Sequence, residues 1–143
     1  MSEYQNLRSA GYVILRDEGK VLLMKRQNTG FRDGYWSVPA GHVDQGEDLK
    51  TATVRETKEE IGVELSKENL VPHSVIHRDS DESVYFDVFF ISEEWKGEIK
   101  NMEPEKCEQL EWFSIDNLPE KTISYVRKAL YEDDDLSYFQ HGW

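Results

Sequence analysis

The sequence predicts a layered α/β domain. Short apolar runs of strand length recur along the chain. Two segments with helical character, one central and one near the end, interrupt them, and strands mixed with helices on either side build layers. At 143 residues, with 38% apolar and 12% aromatic content, the chain suffices for a single domain over residues 1–143 with a real core.

Taken in order, Ser9 to Leu15 (SAGYVIL) reads as a strand, Asp17-Glu18-Gly19 as a turn and Val21 to Lys25 as a second strand. Gln27 to Tyr35 is a polar, glycine-bearing loop, and short strands near Trp36–Val38 and Gly41–Val43 flank Pro39. Leu49 to Ile61 holds neither Gly nor Pro. Asp48 can cap its start, and Gly62 stands where a left-handed residue ends a helix. Leu49, Ala52, Thr53 and Thr57 form a modest inner stripe, so this helix must dock on something. Leu70 to His77 and Ser83 to Ser92 read as strands separated by a charged turn, Arg78–Glu82. The second of them, SVYFDVFFIS, is the most apolar run and should be central. Glu93 to Lys106 is an acidic loop, and Gln109 to Ser114 a last strand. Thr122 to Tyr131 is a second helix, with Ile123, Val126, Ala129 and Leu130 on one face. The tail from Glu132 to Trp143 is acidic, then aromatic.

The net charge of −12 argues against stable nucleic-acid binding, because no basic stripe exists to meet a phosphate backbone. It argues equally against an anionic membrane surface. No run approaches the apolar length of a membrane span, and the N-terminus lacks a signal-like apolar region. The single cysteine, Cys107, reads as buried filler and suits a reducing cytoplasm. His42, His73 and His77 lack metal-ligand spacing and read as surface or strand residues. Oligomeric state stays open, a homodimer included.

Chemistry concentrates between Gly41 and Val63. Glu56, Glu59 and Glu60 are spaced i, i+3, i+4 and project from one side of the helix. Carboxylates crowded on one face repel one another unless something strongly positive lies between them. Hard divalent cations take oxygen ligands, and Mg²⁺ is held by a few carboxylates plus substrate phosphates. A polyphosphate substrate of so acidic a protein would itself need metal ions to screen it.

This segment resembles the signature of the Nudix hydrolases, G-x5-E-x7-R-E-U-x-E-E-x-G-U, where U is aliphatic. Gly41, Glu47, Arg55, Glu56, Glu59, Glu60, Gly62 and Val63 match in place, and Thr57 departs at the first aliphatic position. The resemblance, closest to MutT-like members, implies an α/β/α sandwich around a mixed β-sheet, with the signature as loop–helix–loop. It implies phosphoanhydride hydrolysis dependent on Mg²⁺, or Mn²⁺ in its place. Glu56, Glu59 and Glu60 become metal ligands, joined by the Gly41 carbonyl and by Glu105 of the acidic loop. Glu47 and Arg55 become a pair that holds loop to helix. Arg55, Glu56, Glu59 and Glu105 form the catalytic set. The general base is either a signature glutamate or Glu105, with Glu103 and Glu108 near enough to compete.

On the substrate side the resemblance points to Phe31, Trp36 and Ser37, and Tyr125 is a further aromatic able to stack on a base. Trp36 and Tyr125 also suit the core. Ser37 stands where some purine-selective relatives carry Asn, and it offers one hydroxyl instead of a donor–acceptor pair. No SQPWPxPxS-like stretch follows the signature, as it does in NADH-type members. Pro72 comes too early for the proline of ADP-ribose-type members. The leading expectation is a pyrophosphohydrolase acting on a nucleoside triphosphate or related nucleoside diphosphate-linked compound. The alternatives are an ADP-ribose or nucleotide-sugar hydrolase, a non-catalytic nucleotide-sensing module, and an RNA 5′-end pyrophosphohydrolase, which the charge disfavours.

Overall fold

The computed structural model describes residues 3–80, 83–131 and 136–143. Its strands are β1 (Leu7–Asp17), β2 (Lys20–Arg26), β3 (Trp36–Ser37), β4 (Ala40–His42), β5 (Val71–Asp79), β6 (Val84–Ser92), β7 (Cys107–Ser114) and β8 (Ser137–His141). Its helices are α1 (Leu49–Ile61) and α2 (Ser124–Tyr131), with a 3₁₀ turn at Lys67–Asn69. One eight-stranded sheet runs β3-β2-β1-β6-β5-β8, with β4 added beside β1 and β7 beside β2. β1 pairs parallel with β6, and β5 with β8, while the remaining pairings are antiparallel. The sheet is therefore mixed, with the apolar β6 in its interior.

Alternation along the strands gives each sheet face its own core. Tyr12, Ile14, Ile76 and Phe89 pack under α2 through Ile123, Val126 and Ala129. Val13, Leu15, Leu22 and Phe90 pack on the opposite face with Ile61 and Val63, at the end of α1 and just beyond. This is the expected α/β/α layering. Asp48 caps α1 by accepting from the Thr51 amide at 2.9 Å, and Gly62 ends it at φ 78°. α2 begins two residues later than the sequence suggests, because the Thr122 hydroxyl donates to the Pro119 carbonyl at 2.7 Å and holds a turn there.

Two elements depart from expectation. The aromatic tail forms β8, an edge strand beside β5. Arg78 and Asp79, expected in a turn, extend β5. The rest of that turn, 81–82, and the acidic start of the tail, 132–135, lie outside the described residues. Arg78 is 7% exposed and pairs with the fully buried Asp87 of β6 at 2.6 and 3.2 Å. Its guanidinium lies 4.4 Å from the ring centre of Tyr85 and 4.7 Å from that of Tyr125. Cys107 is buried, as its sequence context suggests. Among the described residues no helix is long and apolar enough to cross a membrane.

Candidate active site

The site forms where α1 lies across β1 and β4. Gly11 and Gly41 are register partners on those strands. A Cβ on Gly11 would overlap the Thr53 side chain, and one on Gly41 would overlap that of Glu56. The helix therefore rests directly on the main chain of two strands. The glycine at 41 is required by close approach, since the residue carries no unusual φ there. This brings the Ala40–Gly41 backbone against the carboxylate face of α1, and the Ala40 amide donates to Glu60 Oε2 at 3.1 Å.

Arg55 ties the loop before α1 to the helix. Its Nε donates to Glu47 Oε2 at 2.8 Å and its Nη2 to Glu47 Oε1 at 2.9 Å, a bidentate pair. Nη2 also reaches the His42 carbonyl at 3.3 Å and Asp44 Oδ2 at 3.3 Å. Nη1 turns the other way, to Glu56 Oε1 at 3.0 Å and Glu59 Oε2 at 3.3 Å. One guanidinium thus organises both the Asp44–Glu47 loop and two carboxylates of the helix. The Arg55 bonds, aided by the Asp44 amide, hold the Glu47 carboxyl down at about 2.

Glu56 and Glu60 behave in the opposite way. Desolvation raises the Glu56 carboxyl; Arg55 works against that rise, and the fields of Glu59 and Glu103 add to it. Glu60 keeps some solvent contact but is closely enclosed by protein atoms, and this enclosure pushes its carboxyl well above the usual carboxylate range. The Ala40 amide opposes the shift, while Glu56 and Glu103 reinforce it. Glu59 is exposed at the outer edge of the cluster.

Of the acidic loop, Glu103 is close enough for its field to add to the rise of Glu56 and Glu60. Its neighbour Met102 donates its amide to the Glu60 carbonyl at 3.0 Å, which docks this part of the loop on α1. Glu105 sits exposed on the turn that follows, its carbonyl accepting from Asn28 Nδ2 at 3.1 Å. Glu108 is exposed on β7 and pairs with Lys25 at 3.2 Å. Spacing alone could not separate Glu103 from Glu105, because it does not show the backbone bond that docks Met102, next to Glu103, on Glu60. Gly11 was also missed, although a glycine inside an apolar strand run signals close backbone approach.

The substrate-side residues do not come together. Phe31 is exposed, with the guanidinium carbons of Arg26 and Arg32 5.5 and 5.9 Å from its ring centre. Trp36, by contrast, is a core residue packed edge-on against Phe113 at 4.9 Å. Ser37 is buried, and its hydroxyl donates to the Val38 carbonyl at 3.4 Å. Tyr125 is buried on the inner face of α2, its ring against Arg78. The Trp36 and Tyr125 rings are packed in the core, and Ser37 is likewise buried.

The donor set suits a hard divalent cation: carboxylate oxygens, with Glu56 and Glu60 desolvated beside further acids. Among the described residues no three His, Cys, Asp or Glu side chains close into a ready cage.

The sequence matches the NUDIX domain family over residues 5–133. It is 36% identical over 115 residues to an ADP-ribose pyrophosphatase of Methanocaldococcus jannaschii, covering 80% of this chain and 66% of that protein. It is 32% identical over 118 residues to the NAD-capped RNA hydrolase NudC of Stutzerimonas stutzeri, covering 78% of this chain and 38% of that protein. The chain thus spans less than two thirds of the length of either relative. Among solved structures, the MutT NUDIX hydrolase of Burkholderia pseudomallei superposes with a TM-score of 0.80 at 29% identity, covering 88% of this chain and 97% of that one.

Proposed function

Because the chain belongs to the Nudix hydrolase family, matched over residues 5–133, we propose that it hydrolyses a phosphoanhydride bond, with Mg²⁺ or Mn²⁺, in a nucleoside triphosphate or related nucleoside diphosphate-linked compound. The observation that carries this reading is the contact of β4 with α1. Gly41 leaves no room for a side chain against Glu56, so the main chain of β4 lies directly against the helix carboxylates. Residues 1–143 act as one catalytic domain in this reading.

Glu56, Glu59, Glu60 and the Gly41 carbonyl hold the cation, and Glu103 takes the part first assigned to Glu105. When bound there, Mg²⁺ supplies charge neutralisation for the phosphate oxygens. The protein's own residues do the rest. Arg55 is a positioning residue that aligns Glu56 and Glu59 while anchoring Glu47. Glu56 or Glu103 accepts the proton of the attacking water. Phe31, with Arg26 and Arg32 around its ring, meets the part of the substrate distant from the scissile bond. The lone, buried Cys107 accords with a reducing cytoplasm.

One observation favours a second substrate within the class. The Methanocaldococcus jannaschii relative, 36% identical over 80% of this chain, is named an ADP-ribose pyrophosphatase. A panel of nucleoside triphosphates, ADP-ribose, a nucleotide sugar and 5′-triphosphorylated RNA decides among them by products. A triphosphate cleaved as expected yields monophosphate and pyrophosphate, and ADP-ribose yields AMP and ribose 5-phosphate. Turnover of none, with Mg²⁺ or Mn²⁺ present, would leave a nucleotide-sensing module and overturn the enzymatic reading.

A further inference from the structure

The loop that carries Glu103 is held from two sides. On one side it docks on the end of α1, where the Lys100 amide donates to the Ile61 carbonyl at 2.9 Å and the Met102 amide to the Glu60 carbonyl at 3.0 Å. On the other it is gripped by two consecutive residues of the loop after β2. The Gln27 amide donates to the Lys106 carbonyl at 2.9 Å. Gln27 Nε2 donates to the Pro104 carbonyl at 2.7 Å and Asn28 Nδ2 to the Glu105 carbonyl at 3.1 Å. Three successive carbonyls, 104 to 106, are thus taken by one dipeptide. Within the turn, the Glu103 carbonyl accepts from the amides of Lys106 and Cys107, each at 2.9 Å. Asn101 braces it by accepting from the Glu103 amide at 3.1 Å and donating to the Cys107 carbonyl at 2.7 Å.

Asn28 reaches its partner from a left-handed conformation, φ 54°. Among non-glycine residues Asn is one of the few that adopt it readily. The same loop continues directly to Phe31 and Arg32. It is ordered by Asp33, which accepts from the amides of Thr29 and Gly30 and from the Thr29 hydroxyl. The dipeptide therefore joins the segment exposing Phe31 to the segment bearing the distal acid.

We propose that Gln27 and Asn28 are positioning residues that aim Glu103 at the Glu56–Glu60 carboxylates and link the Phe31 loop to the cation site. The inference rests on the metal-site reading above. Neither side chain touches substrate or cation in this role. Each acts on backbone carbonyls, so what it sets is the direction of the turn and hence of Glu103.

The test is a double-mutant cycle on the intact chain, read by Mn²⁺ binding through the electron paramagnetic resonance signal of free Mn²⁺. Gln27→Met with Asn28→Gly removes both side-chain donors. It keeps the Gln27 amide bond and places glycine where φ is positive. Groups that orient metal ligands change affinity by about 10–100-fold when removed. The pair should raise the Mn²⁺ dissociation constant about tenfold, with the melting temperature nearly unchanged. Added to Glu103→Gln it should do nothing more, because groups acting through one another are not additive. A merely structural role would instead weaken both backgrounds equally. That additive result, or wild-type Mn²⁺ affinity in the paired variant, overturns the inference. So does wild-type affinity in Glu103→Gln, which also removes Glu103 from the cation site. Should the paired variant fail to fold, Asn28→Gly alone enters the same cycle. A protein that turned over no substrate would defeat the proposed function yet still give this binding result, so the two failures are distinguishable.

Discussion

Single residues decide the chemistry through what they touch. Glu47 accepts both arms of the Arg55 fork, so Glu47→Ala should free Arg55, lower the melting temperature and reduce kcat together. An unchanged melt would show that the pair does not hold the loop. The Glu47 carboxyl is held at about 2, below its ordinary 4.5. A depressed folded value means its stabilisation is full above about pH 4.5 and is lost as pH falls toward 2. Glu47→Gln should therefore flatten part of the acid limb of a stability–pH profile measured across that window. The acidic loop offers a sharper comparison. A positioned proton acceptor contributes about 10²–10⁴-fold, so Glu103→Gln should depress kcat by at least about 10²-fold. Glu105→Gln and Glu108→Gln should do little. Equal effects in all three would mean that the loop acts only through bulk charge. The positions of Gly41, Glu47, Arg55, Glu56, Glu59 and Glu60 are legible from spacing because a loop and one helix fix them locally. Glu103 is not, since its nearness to the helix follows from a tertiary bond, the Met102 amide to the Glu60 carbonyl. Tyr125 and Trp36 lie in the core, and sequence alone does not tell a buried aromatic from a ligand-stacking one.

At the scale of elements, the cap at Asp48 and the left-handed Gly62 make the bounds of α1 readable to the residue. What the helix lies on is not readable from its own stripe, which is short and partly Thr. The seat is the glycine pair Gly11 and Gly41. Gly11→Ala would drive a methyl group into Thr53, a short side chain with little freedom to yield. Overpacking of this kind costs about 1–3 kcal/mol, to be measured by denaturant melts. A change near zero would mean that α1 can lift away without penalty. β8 escaped the sequence reading for a related reason. Its exposure alternates, with Tyr138 and Gln140 outward, and its pairing partner, β5, lies far away in sequence. Arg78 escaped because a charged residue beside a turn looks solvated, whereas its partner Asp87 is supplied by the neighbouring strand.

For the whole molecule, charge acts in two places. Inside, the Arg78–Asp87 pair joins β5 to β6 beneath α2, with Asp87 fully buried. Removing one partner of a buried pair typically costs about 3–5 kcal/mol. Asp87→Ala should therefore be among the most destabilising single changes, and a melt like that of wild type would show the pair to be dispensable. Outside, the net charge is −12, and Glu56, Glu59, Glu60 and Glu103 add their fields at one place. Such a surface repels a polyphosphate unless cations intervene. The claim that these carboxylates work by holding a divalent cation is decided by kcat as a function of Mg²⁺. Wild type stripped by chelator should lose turnover of its best panel substrate and regain it on addition of Mg²⁺ or Mn²⁺. Glu59→Gln keeps the shape and removes one charge, and it should lower kcat by about 10²-fold or more at saturating Mg²⁺. Turnover that survives the chelator, or full activity in Glu59→Gln, would contradict the claim.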